Sequence, residues 1–480
     1  MLNVGLRHPG AARPEHRRPA YASVKGGEHV SEEVDVIVVG LGVGGEEVGG
    51  KLAEAGLRVV GVERRLVGGE CPYWGCVPSK MMIRAANLLA DARRVGGMAG
   101  TATVTPDWAP VARRIREEAT DYWDDKVAVD RFVGKGGTFI RGSARLTGPG
   151  TVEAEGTTYR AGRGVVIGVG TSAVVPPIDG LADTPYWTNK EAIETETLPE
   201  SMICLGGGAI GIELAQAYAR FGTRVTIVEA LDRLVALEEP ESSKLVESAL
   251  RADGITVLTG APARQVRYDA DQFTVQLDGG DQVSAERLLV AVGRRANLAG
   301  LGLETIGLDA AARAIEVDDR MRAADGVWAI GDVTGHGAFT HMAMYQAGIA
   351  IRDILGRDGP PADYRAVPRV TFTDPEIGCV GHTEATARAA GINVATAITE
   401  IPSSARGWIH KAGNDGFIKL VADADRDVLI GATSAGPVGG EVLSALIVAV
   451  KAEVPIATLR SMIYAYPTFH RAIEDALSRL

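Results

Sequence analysis

The chain has 480 residues, with 50 Lys plus Arg against 61 Asp plus Glu and a formal net charge of −11. At roughly 150 residues per domain, that length predicts about three domains, each large enough to bury its own core. The acidic balance argues against sequence-independent nucleic-acid binding, and no apolar run reaches the ~18 to 20 residues of a membrane span, so a soluble protein with small ligands is expected.

Residues 1–33 are rich in Arg, Pro and Gly and lack the apolar stretch of a signal peptide, so they read as a flexible tail. An organelle transit peptide and a start codon placed too early are the alternatives. The first structured segment, DVIVVGLGVGGEEVGGKLAEAGLRVVGVE at 35–63, has a counterpart in SMICLGGGAIGIELAQAYARFGTRVTIVE at 201–229. Each opens with a β-branched apolar run, turns through glycines, continues at helical spacing and closes on a second apolar run ending in Glu. That pattern is a βαβ unit, twice over.

The glycines are Gly40, Gly42 and Gly45 in the first unit and Gly206, Gly208 and Gly211 in the second; Glu63 and Glu229 each lie 23 positions past the first glycine (40 to 63, 206 to 229). The first glycine permits a tight turn, the second lets the backbone reach a pyrophosphate, and the third allows the helix to pack closely on the strand. Amides at the helix N-terminus then hold phosphate. A carboxylate at the end of the unit accepts hydrogen bonds from a ribose diol and repels a 2′-phosphate, so Glu229 favours NADH over NADPH, with nearby Arg233 as the counter-argument. Two dinucleotides in one chain imply an electron relay.

Four cysteines, at 71, 76, 204 and 379, are too few for a disulfide-scaffolded secreted protein of this size, and a reducing, cytoplasmic compartment is expected. Cys71 and Cys76 stand five positions apart in GGECPYWGCVPSK, with MMIRAANLLADARR following as a helix. Both thiols are therefore expected near a helix N-terminus, where the dipole favours a thiolate. The alternatives are two buried cysteines or half a zinc site, and no further Cys or His ligands follow at short spacing. Cys204 and Cys379, in strand-like contexts, read as inert core residues. Farther on, DGVWAIGDVTG at 325–335 reads as a buried strand ending in Gly331 and Asp332, with a helix from about 340 to 355; from about 366 the texture becomes that of a separate α+β domain.

GGECPYWGCVPSK resembles the redox-disulfide signature of the class I flavoprotein disulfide reductases, the family of dihydrolipoamide dehydrogenase, glutathione reductase and mercuric reductase. The resemblance runs from 34 to 480 and includes VVIGVGTSAVVPPIDGL, LLVAVGRRANLAGLGLE, VWAIGDVTG and VTFTDPEIGCVG in the family's order. It implies an α/β chain with two Rossmann-like dinucleotide-binding domains and a C-terminal α+β dimerisation domain. The implied boundaries are an FAD-binding domain at 34–180 and 290–362, an NAD(P)-binding domain at 181–289, and a homodimer-forming domain at 363–480.

The resemblance also implies roles. Gly40, Gly42, Gly45 and Glu63 would hold the ADP half of FAD, with Gly331 and Asp332 at its ribityl chain. Gly206, Gly208, Gly211 and Glu229 would hold NAD(H), with NADP(H) the lesser candidate, and Gly293 would be a further cofactor-binding glycine. Cys76 would be the charge-transfer thiol beside the flavin, and Cys71 the interchange thiol that attacks a small-molecule or protein-borne disulfide, dithiol or other electron acceptor. Lys80 would pair with Glu213 where nicotinamide docks, an ordinary helix-face salt bridge being the alternative. The helix beginning near His341 would point its N-terminus at the flavin, with His341 itself a structural residue.

The family's dithiol enzymes end in His-x-His-Pro-Thr-x-x-Glu, contributed across the dimer interface. Here the stretch runs Tyr464, Ala465, Tyr466, Pro467, Thr468, Phe469, His470, Arg471, so the catalytic His is replaced by Tyr466 and its Glu by Arg471. Unperturbed Tyr titrates about 3.5 units above His, the wrong direction for a base at neutral pH. His470, with Glu474 one helical turn on, is a substitute acid/base candidate or an interface residue. Mercuric reductases also carry Tyr here, which keeps a metal-ion or quinone reductase as the second expectation, although this chain has no cysteine after Cys379.

Overall fold

A computed structural model describes residues 31–480. The expected tail lies outside the described residues except for its last three positions. Ser31, Glu32 and Glu33 are already in the first strand, opposite Thr158, Tyr159 and Arg160. These three polar residues are exposed and carry no apolar signal, so the strand starts before its hydrophobic stretch does.

The first βαβ unit consists of strand Ser31–Val39, helix Val43–Glu54 and strand Val59–Glu63, the two strands being parallel. In the sheet, Thr157–Ile167 pairs with the other side of Ser31–Val39, followed outward by Val327–Ala329, while Thr138–Arg141 pairs with Val59–Glu63. Val36, Ile37 and Val38 are fully buried. Consecutive buried residues are what a parallel strand covered on both faces requires, and they explain its unbroken apolar run.

The second unit is an insertion. Its parallel sheet runs Thr256–Leu258, Arg224–Val228, Ser201–Leu205, Arg287–Val290, with helix Ala209–Phe221 as the first crossover and a three-stranded antiparallel sheet appended. The chain leaves and re-enters the first unit through Thr171–Ala173 and Arg294–Ala296, which pair antiparallel. Gly293 sits at this crossing, where its carbonyl accepts from the Val174 N–H at 3.0 Å.

The C-terminal unit is a five-stranded antiparallel sheet in the order Pro368–Thr371, Glu376–Gly381, Val428–Gly436, Phe417–Asp423, Val394–Glu400. Helix Gly439–Lys451 covers it, burying Leu443, Leu446, Ala449 and Val450. Buried Lys419 ties this unit to the insertion, its Nζ lying 3.0 Å from Glu239, 2.9 Å from Glu241 and 3.1 Å from Glu384. Among the described residues no helix is long and apolar enough to cross a membrane.

Candidate functional site: a glycine-lined cavity holding two cysteines

The two glycine turns are built alike. Gly40 and Gly206 have φ of +91° and +108°, and a Cβ on either would run into backbone of the neighbouring strand end, at Gly168 and Ala291 respectively. Cβ atoms on Gly45 and Gly211 would strike the carbonyls of Gly40 and Gly206, so the helices could not approach their strands. The middle glycines are different: around Gly208 nothing lies within 4 Å of an added Cβ, and at Gly42 the nearest atom is at 3.9 Å. Neither following helix has a side-chain cap. Uncapped amides beside an open glycine form a cradle that fits a pyrophosphate.

The acids at the ends of the two units also serve the turns. Glu63 accepts from the N–H groups of Leu41 (2.9 Å) and Arg65 (2.7 Å), and Glu229 accepts from Gly207 (2.6 Å) and Leu231 (2.7 Å). Each carboxylate thus stands beside its glycine turn, half-buried, with lone pairs left for a sugar. Arg233 is committed elsewhere: its guanidinium donates to the Glu238 and Ala236 carbonyls and the Ser243 hydroxyl at 2.6–3.0 Å.

Gly42, Cys71, Cys76, Lys80, Glu213 and Asp332 all line one cavity of about 620 Å3. Ala209 and Ile210, just past the second glycine motif, line it too, although Gly206, Gly208, Gly211, Glu229 and Gly293 do not. Gly42, Gly45, Glu63, Gly331 and Asp332, expected to hold FAD, thus share one space with the two cysteines and the Lys80–Glu213 pair, and the second glycine motif meets that space only through the start of its helix. The cavity's size, open glycine floor and cationic rim suit a flavin and a nicotinamide.

The cysteines sit unequally, each near the start of its own helical segment. Cys76 is the first residue of helix Cys76–Arg93, whereas Cys71 belongs to a separate turn, Glu70–Tyr73. Gly75 and Trp74 break the helix between them because they adopt non-helical backbone angles. The Cys71 thiol donates to Cys76, and this bond, with the Thr340 hydroxyl and the Lys80 ammonium, overcomes burial and pulls the Cys76 thiol down to about 6. The same hydrogen bond and burial push Cys71 well up. The reduced pair is polarised, with the charge on Cys76.

Lys80 lies one turn beyond Cys76 and reaches Glu213 Oε2 at 2.8 Å. Glu213 is 6% exposed, and its other oxygen accepts from the Phe372 N–H at 2.8 Å. The Lys80 ammonium also stands 4.6 Å over the Phe372 ring. Three units meet at this carboxylate, which distinguishes it from an ordinary helix-face pair.

Several cavity residues were not singled out from sequence. Arg294 donates to Glu70 (2.6 Å) and to the Thr171 hydroxyl (2.7 Å), and Thr171 in turn donates to Asp332 (2.7 Å), whose carboxyl burial pushes upward. Lys190 lies 4.6 Å over Trp74, and Asn189 donates to the Trp74 carbonyl at 2.7 Å, fastening the cysteine turn to the insertion. Charged residues next to the Cys and Gly motifs were the available signal. Helix Thr340–Ile354 points its N-terminus into the cavity. His341 contacts the Pro368 carbonyl through Nε2 at 3.0 Å and stacks on Phe339, a structural placement.

Tyr466 and His470 do not line this cavity within the chain. Tyr466 is 70% exposed, with the Arg471 guanidinium 5.5 Å from its ring centre. Glu474 pairs with Arg471 at 2.5 Å, so the His470–Glu474 couple is replaced by an Arg–Glu pair, and His470 lies beside the Tyr464 ring. Cys204 and Cys379 are buried; burial pushes Cys204 up to about 12 and Cys379 well above the ordinary thiol range.

Comparison with known proteins agrees with this geometry. The family model described as pyridine nucleotide-disulphide oxidoreductase matches residues 34–347, and that family's dimerisation domain matches 367–477. A dihydrolipoyl dehydrogenase of Thermus scotoductus is 33% identical over 93% of this chain and 97% of its own length. A mercuric reductase of Acidithiobacillus ferrooxidans is also 33% identical, over 93% of this chain and 82% of its own. Among solved structures, the Cu(II) complex of the HOCl-induced flavoprotein disulfide reductase RclA from Escherichia coli superposes with a TM-score of 0.82 at 25% identity, covering 92% of this chain and 99% of that one. The chain belongs to the pyridine nucleotide-disulphide oxidoreductases, FAD-dependent enzymes, and ends in their dimerisation domain.

Proposed function

We propose that the protein takes hydride from NADH and delivers the electron pair, through a Cys71–Cys76 disulfide, to an external disulfide or dithiol couple. The observation that carries this reading is the polarity of the two sulfurs. A disulfide that receives the equivalent of hydride yields one thiol and one thiolate, and the site favours thiol at Cys71 and thiolate at Cys76. The open Gly42 turn would hold the pyrophosphate of FAD, which when bound would supply the redox chemistry that links nicotinamide to sulfur. Lys80 and Glu213 would orient the nicotinamide, and Asp332 and Glu63 the sugar portions of FAD.

Glu229, beside the second cradle, favours an unphosphorylated ribose, and Arg233, four positions on, is engaged within its own loop rather than free for a 2′-phosphate. NADH is therefore the proposed donor. A homodimer is proposed from the dimerisation domain together with the exposed apolar Ile463, Val448 and Tyr466. Tyr466 would then meet its partner's cavity.

One observation favours a second reading. The stretch that should supply a His–Glu base offers an exposed Tyr466 under Arg471 instead. A metal ion or quinone needs no proton abstracted from a thiol, so a reductase of such acceptors is the alternative. Anaerobic turnover of NADH with lipoamide, small disulfides, Hg(II) and quinones tests both. Disulfide-dependent turnover lost in C71S and C76S supports the first reading; turnover restricted to Hg(II) or quinones supports the second. Unchanged turnover in both serine variants with every acceptor overturns the sulfur relay.

A further inference from the structure

We propose that Asn189 and Trp123 are positioning residues for the Cys71 turn: by capturing the carbonyls of Trp74 and Tyr73 they keep the two reduced sulfurs together, and so hold the reduction potential of the pair below what the cysteine segment alone would give. The inference rests on the redox-pair reading above and adds to it two residues from outside the cysteine motif.

Cys71 and Cys76 are free thiols in this structure, yet the Cys71 thiol still reaches Cys76. The segment that joins them is poorly suited to this. It is one short turn, Glu70–Tyr73, closed by the Trp74 N–H on the Glu70 carbonyl at 2.8 Å, followed by Trp74 and Gly75 at non-helical angles. Such a segment is free to swing Cys71 away once the covalent bond opens. Instead its last two carbonyls before Gly75 are taken from outside. The Tyr73 carbonyl accepts from the Trp123 indole at 3.3 Å, and the Trp74 carbonyl accepts from the Asn189 amide at 2.7 Å.

The two donors arrive from different units, and each is itself fixed. Asn189 is buried at the first position of helix Asn189–Glu194 in the insertion, behind a capping box in which Thr188 and Glu191 lock the helix start. The same helix grips the Trp74 ring, with Lys190 4.6 Å over it and Glu194 accepting from its indole at 2.5 Å. Trp123, in the first unit, ends a run of three non-glycine residues with positive φ: Asp121 at 46°, Tyr122 at 61° and Trp123 at 56°. Such residues seldom enter that region even singly, and a run of three persists only where the surroundings over-determine it. Buried Thr120 braces the run, accepting from the Trp123 N–H at 3.4 Å with its hydroxyl directed at the Ile115 and Arg116 carbonyls, both at 3.1 Å. The strained run therefore ends with an indole N–H aimed at the cysteine turn.

Reduction by a small dithiol breaks the protein S–S bond and forms one in the reagent, whose two electrons and two protons pass to Cys71 and Cys76. In the disulfide, the covalent bond keeps the turn in place whether or not its carbonyls are held. In the dithiol, that task falls to the carbonyl contacts. Removing them adds freedom to the dithiol alone and shifts the equilibrium towards it. Freeing about one residue of backbone amounts to roughly a tenfold shift, and tenfold in a two-electron couple is about 30 mV upward.

The test equilibrates the flavin-loaded full chain anaerobically with mixtures of reduced and oxidised dithiothreitol, quenches by alkylation, and counts dithiol against disulfide at Cys71 and Cys76 by mass spectrometry. Asn189→Leu, similar in volume but without a donor, and Trp123→Phe, which keeps a ring and removes the N–H, should each raise the dithiol-to-disulfide ratio about threefold, and together about tenfold. Lys419→Met, which severs the tie between the insertion and the C-terminal unit without touching the turn, should leave the ratio unchanged. Ratios within about 1.5-fold of the parent in both single variants, or an equal rise in Lys419→Met, overturn the assignment. Failure of the redox-pair reading looks different: no Cys71–Cys76 disulfide would form in the parent at any mixture.

Discussion

Replacing Glu213 by Gln should slow flavin reduction by NADH while lowering the pKa of Cys76. Glu213 accepts from two donors at once, the Lys80 ammonium and the Phe372 N–H, both at 2.8 Å. A glutamine has one acceptor oxygen, so its amide N–H2 must face one of those donors. Two unit charges 2.8 Å apart at an effective dielectric of ~20 attract by about 6 kcal/mol, an upper bound. The Lys80 side chain is 34% exposed, so screening and desolvation reduce this to the net worth of a charge-assisted hydrogen bond, about 2 kcal/mol. Expressed fully in the hydride-transfer step, that is roughly a 30-fold fall in rate. Anaerobic stopped-flow mixing with NADH, followed by flavin bleaching, reads it directly. Because the Lys80 charge is no longer offset, the Cys76 alkylation midpoint should move down in the same variant. A bleaching rate within threefold of the parent, with the fold intact, would refute the assignment of this pair to the nicotinamide side.

In the reduced wild-type protein, Cys76 should alkylate with a midpoint near pH 6 and Cys71 with a higher one; site-resolved mass spectrometry checks the order. Restoring the family's couple with Tyr466→His and Arg471→Glu together should raise dihydrolipoamide oxidation at pH 7.5 by at least about tenfold, as expected of a regained general base; steady-state assays showing no gain would point to acceptors that need no base. Lys419→Met should lower the unfolding midpoint by several degrees, since it strands the 2%-exposed Glu239 carboxylate at a cost of about 3 kcal/mol or more. A thermal scan that does not move would mean the three carboxylates find other partners.

The parts of the site that were readable from sequence are those whose chemistry is packed into a few consecutive residues. Gly40, Gly42, Gly45 and their counterparts could be read because turn, cradle and close packing are local demands with fixed spacing. The Cys71–Cys76 pair could be read for the same reason, but its asymmetry could not. That asymmetry depends on where Gly75 ends one turn and starts the next helix, and the Thr340 hydroxyl beside Cys76 is 264 positions away in sequence. Arg294, Glu70 and Phe372 escaped notice likewise, being ordinary residue types given their role by tertiary placement. The departure at Tyr466 and Arg471 was legible as chemistry, while the capture of Glu474 by Arg471 is set by the rotamers the two side chains adopt in the fold.

Helix Val43–Glu54 carries four glycines in twelve residues, Gly44, Gly45, Gly49 and Gly50. Relative to alanine these forgo about 3 to 4 kcal/mol of intrinsic helical preference, yet an added methyl at Gly44 would crowd Ala343, and at Gly49 would meet Phe132. The segment is therefore coiled by its neighbours rather than by its own tendency. Such an element has little structural independence, and the ligand resting on its first turn becomes one of its supports. Stripping the prosthetic group should accordingly be felt first as faster amide exchange along this helix, before any global loss of structure, so that occupancy and local order rise and fall together.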